Sequence, residues 1–296
     1  MEVINLSKNQ FANLSRFELP ASVFNTEAQM YEIQMKRKDY ILKRLYNDEG
    51  PIFANKLYTL EMLNANKDYI PDTFVIPEHL VSVQQKLIGF TTPRITGINL
   101  QQILDDPKID KKEKIYLLKR IGEILENMKN VRRYSPLKDF YINDLHESNF
   151  VVNTQKKQLH VVDTDSCKIA KNLAFCSRYL SPFSLFSKLD KSKYHVIDTL
   201  NAGGYIEPSE DSDLYCYTIM ILNFLYDDNI NSASLPEFYE YLTYLSDIGI
   251  DKELIDIFSN LITFKPNKNP MHLLDSLSYE QMGKAQKPVY SLKLKN

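Results

Sequence analysis

The segment Leu214 to Tyr226 reads LYCYTIMILNFLY and is apolar almost all the way round a helix. Such a helix has to be enclosed by protein or by lipid. Spanning a bilayer takes about 20 apolar residues, so this shorter one is expected at the centre of a helical body. Several other helices must then cover it. The chain has 296 residues, enough for that body and for a second layer of structure besides. One covering helix is legible between Asp110 and Asn130. Its apolar stripe is Ile115, Leu118, Ile121, Leu125 and Met128, and Asp110 with Glu113 is spaced as a capping box.

The first half of the chain has a different rhythm. Met30–Met35 and Tyr40–Tyr46 flank the polar turn Lys36 to Asp39, which predicts a hairpin. Leu57, Leu60 and Leu63 predict a helix over 54–65, and strands are expected near 73–77 and 80–90. Gly97 marks a connector to the helical part. The fold class expected is therefore α+β, with the strands early and the helices late. No run approaches the roughly 18 apolar residues of a membrane span, and MEVINLSKNQF lacks the order of a secretory signal. Lys and Arg total 36 against 38 Asp and Glu, so no basic excess advertises nucleic acid. Cys167, Cys176 and Cys216 are odd in number and lack metal-ligand spacing. The expectation is a cytoplasmic chain with reduced thiols, no membrane segment and no nucleic-acid partner.

Chemistry concentrates in residues 143–166, NDLHESNFVVNTQKKQLHVVDTDS. Phe150–Asn153 and Leu159–Val162 read as strands joined by the polar loop Thr154 to Gln158. In a hairpin that sets Asn153 opposite Leu159, Phe150 faces Val162 and Asn149 faces Asp163. Cross-strand neighbours have Cα atoms about 4.5–5.5 Å apart, so an amide oxygen and a carboxylate would converge at the open end. Hard oxygens completed by water and phosphates are what Mg²⁺ selects. Asp144, five residues before Asn149, adds a further carboxylate there.

Asp144-Leu145-His146-Glu147-Ser148-Asn149 resembles the catalytic loop of the protein-kinase-like superfamily, D-L-x-x-x-N, and Val162-Asp163-Thr164-Asp165 looks like its metal-binding D-F-G segment. The likeness covers about residues 20 to 230 and takes in bacterial eukaryotic-like Ser/Thr protein kinases. His146 is more typical of the related aminoglycoside- and choline-kinase-like phosphotransferases. The resemblance implies a two-lobed fold: a small β-rich N-lobe over 1–92, a hinge at 93–97 and a larger helical C-lobe over 98–296. It implies ATP with Mg²⁺ or Mn²⁺, Asp144 as catalytic base, and Asn149 and Asp163 as metal ligands. It also asks for a strand Lys paired with a helix Glu. Lys43 shares a strand face with Ile41 and Leu45, and Glu61 lies beside Leu60, so the pair expected to position the phosphates is Lys43–Glu61. Gly89 to Ile95 is similar to the hinge strand, with Pro93, Arg94 and Ile95 against adenine, and Asn25 and Thr26 stand where the phosphate loop belongs. Arg178 to Pro182 matches the end of the activation segment, and Asp213 opens the apolar helix.

The chain also departs from the pattern. No glycine precedes Gly50, so the phosphate loop has no Gly-rich stretch. Ile142 and Asn143 replace the usual His and Arg, Thr164 the packing Phe, Asp165 the Gly, and Phe183 the Glu after Pro182. The reading is an ATP-dependent phosphotransferase, a Ser/Thr protein kinase with a protein substrate. The alternatives are a pseudokinase acting as a binding or scaffolding module, a small-molecule kinase, or nucleotidyl transfer on the same fold.

Overall fold

Strand β3 (Ala28–Met35) and strand β4 (Lys38–Leu45) pair antiparallel through a turn of two residues, shorter than the four-residue turn expected. Lys36 and Arg37 both take positive φ, 48° and 65°, which makes the turn match the twist of the strands. Lys38 and Asp39 consequently join the ladder, with Met35 opposite Lys38. The computed structural model describes residues 1–18, 27–153, 155–173, 177–180, 196–197, 205–264 and 266–286. It is mixed α+β and divides into two units. The first comprises Met1–Gln101, Asn127–Asn143 and Glu147–Phe175; the second comprises Gln102–Glu126, Asp144–His146 and Cys176–Asn296.

In the first unit, β1 (Glu2–Leu6), β2 (Ser15–Arg16), β5 (His79–Val83) and β6 (Lys86–Pro93) complete a six-stranded sheet. Its order is β1-β5-β6-β4-β3-β2, with β1 parallel to β5 and the other pairs antiparallel. The strand expected over 80–90 is in fact this β5–β6 hairpin, turned at Gln84 and Gln85, both with positive φ. Residues 73–77, expected as a strand, contribute only a single bridge between Phe74 and Val161. Pro71 precedes that stretch and Pro77 ends it, and neither can donate to a ladder.

Period-two alternation separates the two faces of the sheet, except in β6, where a register shift against β5 puts Ile88 and Phe90 on opposite faces. Tyr31, Ile33, Tyr40, Leu42, Val81 and Ile88 pack together on one side. Ala28, Leu45, Leu80 and Phe90 pack on the other, where they meet Leu60 of helix α2 (Gly50–Ala65). A second sheet in this unit has three antiparallel strands, β7 (Ile98–Asn99), β8 (Phe150–Asn153) and β9 (Gln158–Val161).

The second unit is largely helical. Helix α5 (Glu210–Tyr226) contains the apolar segment, and Tyr215, Tyr217, Ile219, Ile221 and Leu222 are fully buried. It begins earlier than its apolar run, because Ser209 and Ser212 form a reciprocal cap. Asp213 is therefore a buried first-turn residue and not the cap. Tyr217 donates its hydroxyl to the Leu118 carbonyl at 2.8 Å, which satisfies a polar group at the centre of an apolar helix. Leu118 belongs to helix α4 (Lys111–Tyr134), whose residues divide between the two units after Glu126. Asp110 caps α4, as expected, by accepting the Lys112 N–H at 2.7 Å. Among the described residues no helix is long and apolar enough to cross a membrane.

The Lys36–Arg37 turn is a place where stability can be raised. A residue with a Cβ costs about 1–2 kcal/mol in the left-handed region, and glycine gives back roughly 0.5–1 kcal/mol of that in unfolded-chain entropy. Lys36→Asn with Arg37→Gly is expected to stabilise the chain by about 1 kcal/mol. A urea midpoint no higher than that of the parent would show that the turn is not strained.

Candidate functional site

Lys43 lies in the middle of β4, with Met30 of β3 opposite on one side and Phe90 of β6 on the other. β6 comes unusually close at this point. A Cβ on Gly89 would lie 1.9 Å from the Lys43 carbonyl oxygen, so only glycine allows this approach. The Lys43 ammonium stands 5.5 Å from the centroid of the Phe90 ring. It is buried, and a buried ammonium needs compensation. Asp163 supplies it through Oδ1, and Asp165 Oδ1 adds a second contact at 2.8 Å.

Helix α2 carries a second buried lysine. Lys56, Leu60 and Leu63 follow the i, i+4, i+7 spacing of one helix face, and all three are buried together with Thr59. Lys56 Nζ donates to Asp165 Oδ2 at 2.9 Å, to the Asp165 carbonyl at 3.2 Å and to Glu27 Oε1 at 2.7 Å. Next to it, Thr59 Oγ1 accepts from Asn172 Nδ2 at 2.9 Å, and the Asn55 side chain bonds both the N–H and the carbonyl of Leu173 at 2.7 Å. The inner face of α2 is thus held to the chain that follows Asp163 by side-chain hydrogen bonds from Asn55, Lys56 and Thr59, about one helical turn.

Asp163 follows the β8–β9 hairpin, whose register differs by one from the expected pairing. Phe150 faces Val161 and Asn153 faces Gln158. The loop takes one residue fewer because Asn153 Oδ1 accepts the N–H groups of Gln155 and Lys156, and Lys157 turns left-handed with φ 50°. Asn149 consequently stands opposite Val162, whose N–H donates to the Asn149 carbonyl at 2.9 Å, and Asp163 falls one residue beyond the expected pair. Asp163 is itself left-handed, with φ 61° and ψ 32°. That turn starts a short 3₁₀ segment, Thr164–Ser166, in which Thr164 donates its hydroxyl to the Val75 carbonyl at 2.7 Å and Ser166 to Asp163 Oδ2 at 2.9 Å. Three carboxylates and two ammoniums are thereby gathered into one cluster.

Its electrostatics have a direction at each group. Burial pushes the Lys43 ammonium down, but Asp163, Asp165 and Glu27 override it and hold its pKa above the usual lysine value. Lys56 behaves likewise, with Asp165 and Glu27 outweighing burial. Burial alone would push the Asp165 carboxyl up; Lys43 and Lys56 hold it well below the usual carboxylate range. The Glu27 carboxyl is raised, because partial desolvation and the neighbouring Asp165 and Asp163 carboxylates outweigh its attraction to Lys56 and Lys43. Asp165 is thus firmly charged, and Glu27 protonates more readily than an ordinary carboxyl.

The other expected site residues are distributed as follows. Glu61 is exposed, one hundred-degree step round the helix from Leu60, and does not occupy the face that carries Lys56. The expected Lys43–Glu61 pair is therefore corrected to Lys43 with Asp163 and Asp165. Asn25 and Thr26 lie outside the described residues, as do Ser181, Pro182 and Phe183. Pro93 ends β6; Arg94, just after it, is exposed and pairs with Glu32 at 3.0 Å, and Ile95 is half-buried. In the second unit, Asp144 Oδ1 lies 3.6 Å from His146 Nε2, with side chains 22% and 14% exposed. Lys56 and Glu27 were not anticipated. The signal for Lys56 was present, since a lysine four residues before Leu60 and seven before Leu63 shares their face. Glu27 is next to residues outside the description and has no comparable signature.

Of the two carboxylates that meet Lys43, Asp163 is the one better suited to a divalent cation. Its side chain is 24% exposed, whereas that of Asp165 is 0% exposed and has one oxygen on each lysine. Three carboxylates against two ammoniums leave an excess of hard anionic oxygen. Among the described residues no group of three or more His, Cys, Asp or Glu forms a cage. Mg²⁺ does not need one, because it is commonly held by one or two side chains with water and phosphates filling the octahedron. No family model matches the chain, and no curated protein matches it.

Proposed function

We propose that the chain is an ATP-dependent phosphotransferase of the protein-kinase-like kind, acting on a Ser or Thr hydroxyl of a protein. One observation carries the reading: Lys43 and Asp163 are 120 residues apart in sequence and form a partly buried ion pair. The kinase resemblance asks for these two residues together, one to hold phosphate and the other to hold metal. In this reading Lys43 neutralises the α- and β-phosphates, Asp163 and Asn149 hold Mg²⁺ or Mn²⁺, and Asp144 accepts the proton of the attacking hydroxyl. Held by Asp163 and Asn149, the metal would supply positive charge against the phosphates. Pro93, Arg94 and Ile95 remain the candidates for the adenine side, and Asn25 and Thr26 for the phosphate loop.

The pseudokinase reading draws on a different observation. Both oxygens of Asp163 already have protein partners, Lys43 and Ser166, and no glycine precedes Gly50. A carboxylate already engaged by the chain's own side chains suits a module that binds nucleotide or a partner without transfer. The two readings separate in one experiment on the full chain: γ-labelled ATP with Mg²⁺ or Mn²⁺ and a panel of Ser/Thr-rich acceptor proteins. Metal-dependent transfer of γ-label is expected. Binding without transfer to any acceptor, the chain itself included, would favour the pseudokinase, and transfer of label from α-labelled ATP in a parallel reaction would mark nucleotidylation.

Metal dependence gives a simpler check. Ligand that binds only the folded state raises the melting temperature by mass action. Mg·ATP is expected to give a larger thermal shift than ATP with chelator, and Lys43→Ala is expected to abolish most of that difference. Equal shifts under both conditions would count against Asp163 as a metal ligand.

A further inference from the structure

Building on the kinase reading, we propose that Asp165 and Lys56 together position Lys43 for phosphate, in place of a carboxylate on the helix. The helix face that should present an anion presents Lys56 instead, and Glu61 is exposed. The anion is supplied from the segment after the hairpin. Asp165 is fully buried and gives one oxygen to each lysine, at 2.8 Å to Lys43 and 2.9 Å to Lys56. Each lysine has in addition one outer carboxylate, Asp163 for Lys43 and Glu27 for Lys56, with side chains 24% and 38% exposed.

This arrangement divides the cluster into a fixed part and an exchangeable part. The inner carboxylate cannot turn to solvent or metal without breaking two charge-assisted bonds. The outer two can, because water reaches them. An incoming polyphosphate with its metal can take Asp163 from Lys43, and Lys43 stays aimed because Asp165 still holds it. Lys56 is required as a charge: without it Asp165 would be a buried anion with a single cation, and the cluster would carry one more net negative charge against an incoming polyanion. A partly buried charge is screened much less than a surface one, so its loss is felt by an incoming polyanion. The Asn55, Thr59 and Asn172 hydrogen bonds keep Lys56 at this depth.

The test is the dissociation constant of the full chain for Mg·ATP and for adenosine, in wild type, Lys56→Met, Lys56→Arg and Glu61→Gln. Adenosine has no phosphates and reports on the integrity of the fold. Lys56→Met is expected to weaken Mg·ATP by about tenfold or more, leaving adenosine within about twofold, and Lys56→Arg to recover Mg·ATP to within about threefold. Lys56→Gln carries the same expectation as Lys56→Met should the latter not fold. Equal losses for both ligands would reduce Lys56 to a structural role and overturn the proposal. A tenfold loss from Glu61→Gln with none from Lys56→Met would also overturn it, while leaving the kinase reading in place. Wild type binding neither ligand would overturn the kinase reading and this inference with it.

Discussion

Asp165→Asn is expected to lower the folding stability of the chain by about 3 kcal/mol. Removing one partner of a buried ion pair costs roughly 3–5 kcal/mol, because the charge left behind stays buried. Here two ammoniums lose a shared carboxylate at once. Each keeps an outer carboxylate, Asp163 or Glu27, which argues for the lower end of the range. Combining Asp165→Asn with Lys56→Met removes one of the stranded ammoniums and is expected to recover more than half of the loss. Chemical denaturation of the two variants and the parent measures both effects. A midpoint unchanged by Asp165→Asn would mean that the cluster contributes nothing net to stability.

The same carboxylate gives that effect a pH dependence with a defined sign. Its pKa is lower in the folded chain than the ordinary value of 3.8. The folded state therefore binds fewer protons at this group, and its contribution is fully present above that value and is lost as pH falls below it. The gap between parent and Asp165→Asn should hold from neutral pH to about 5 and narrow below about 4. Glu27 has the opposite sign, because its folded pKa is raised: its contribution is present below the ordinary value of 4.5 and is lost as pH rises through the raised value. A gap that widened on acidification would assign the effect to some group other than Asp165.

Residues whose period is unambiguous were legible in the sequence. The apolar run 214–226 predicted a buried helix, and α5 buries it; Lys43 beside Ile41 and Leu45 predicted an inward lysine, and β4 points it inward. What sequence did not fix were positions decided by one residue of slack. The turn at Lys36–Arg37 and the loop after Asn153 each close tighter than polar composition suggests, because three lysine or arginine residues accept left-handed backbone there. In the second case the slip moved Asp163 out of register with Asn149. The Lys43–Glu61 pair was read from a family requirement, whereas the periodicity of α2 already favoured Lys56: positions 56, 60 and 63 share a face and 61 does not. Asp165 was legible only as a departure from the family's glycine. Its partner on α2 could be found only by folding residues 109 apart onto one another.

Asp144→Asn is expected to reduce phosphoryl transfer by roughly 10²–10⁴-fold, the range attributed to a positioned acid or base, which corresponds to about 3–5 kcal/mol of barrier. Asn nearly matches Asp in size, and the Asp144 side chain is 22% exposed, so little stability should be lost. Asp144 is also outside the lysine–carboxylate cluster that the phosphates and metal are proposed to use, so Mg·ATP affinity should stay within about twofold of the parent. Lys43→Ala and Asp163→Asn should behave differently, because they act on groups that meet nucleotide or metal before any transfer: both should weaken binding along with turnover. The discriminating measurement is therefore paired, the Mg·ATP dissociation constant and the rate of γ-label transfer on the same preparations. A parent enzyme that transfers phosphate, with Asp144→Asn transferring it equally fast, would remove Asp144 as the base. His146, 3.6 Å from it, would be the next residue to replace.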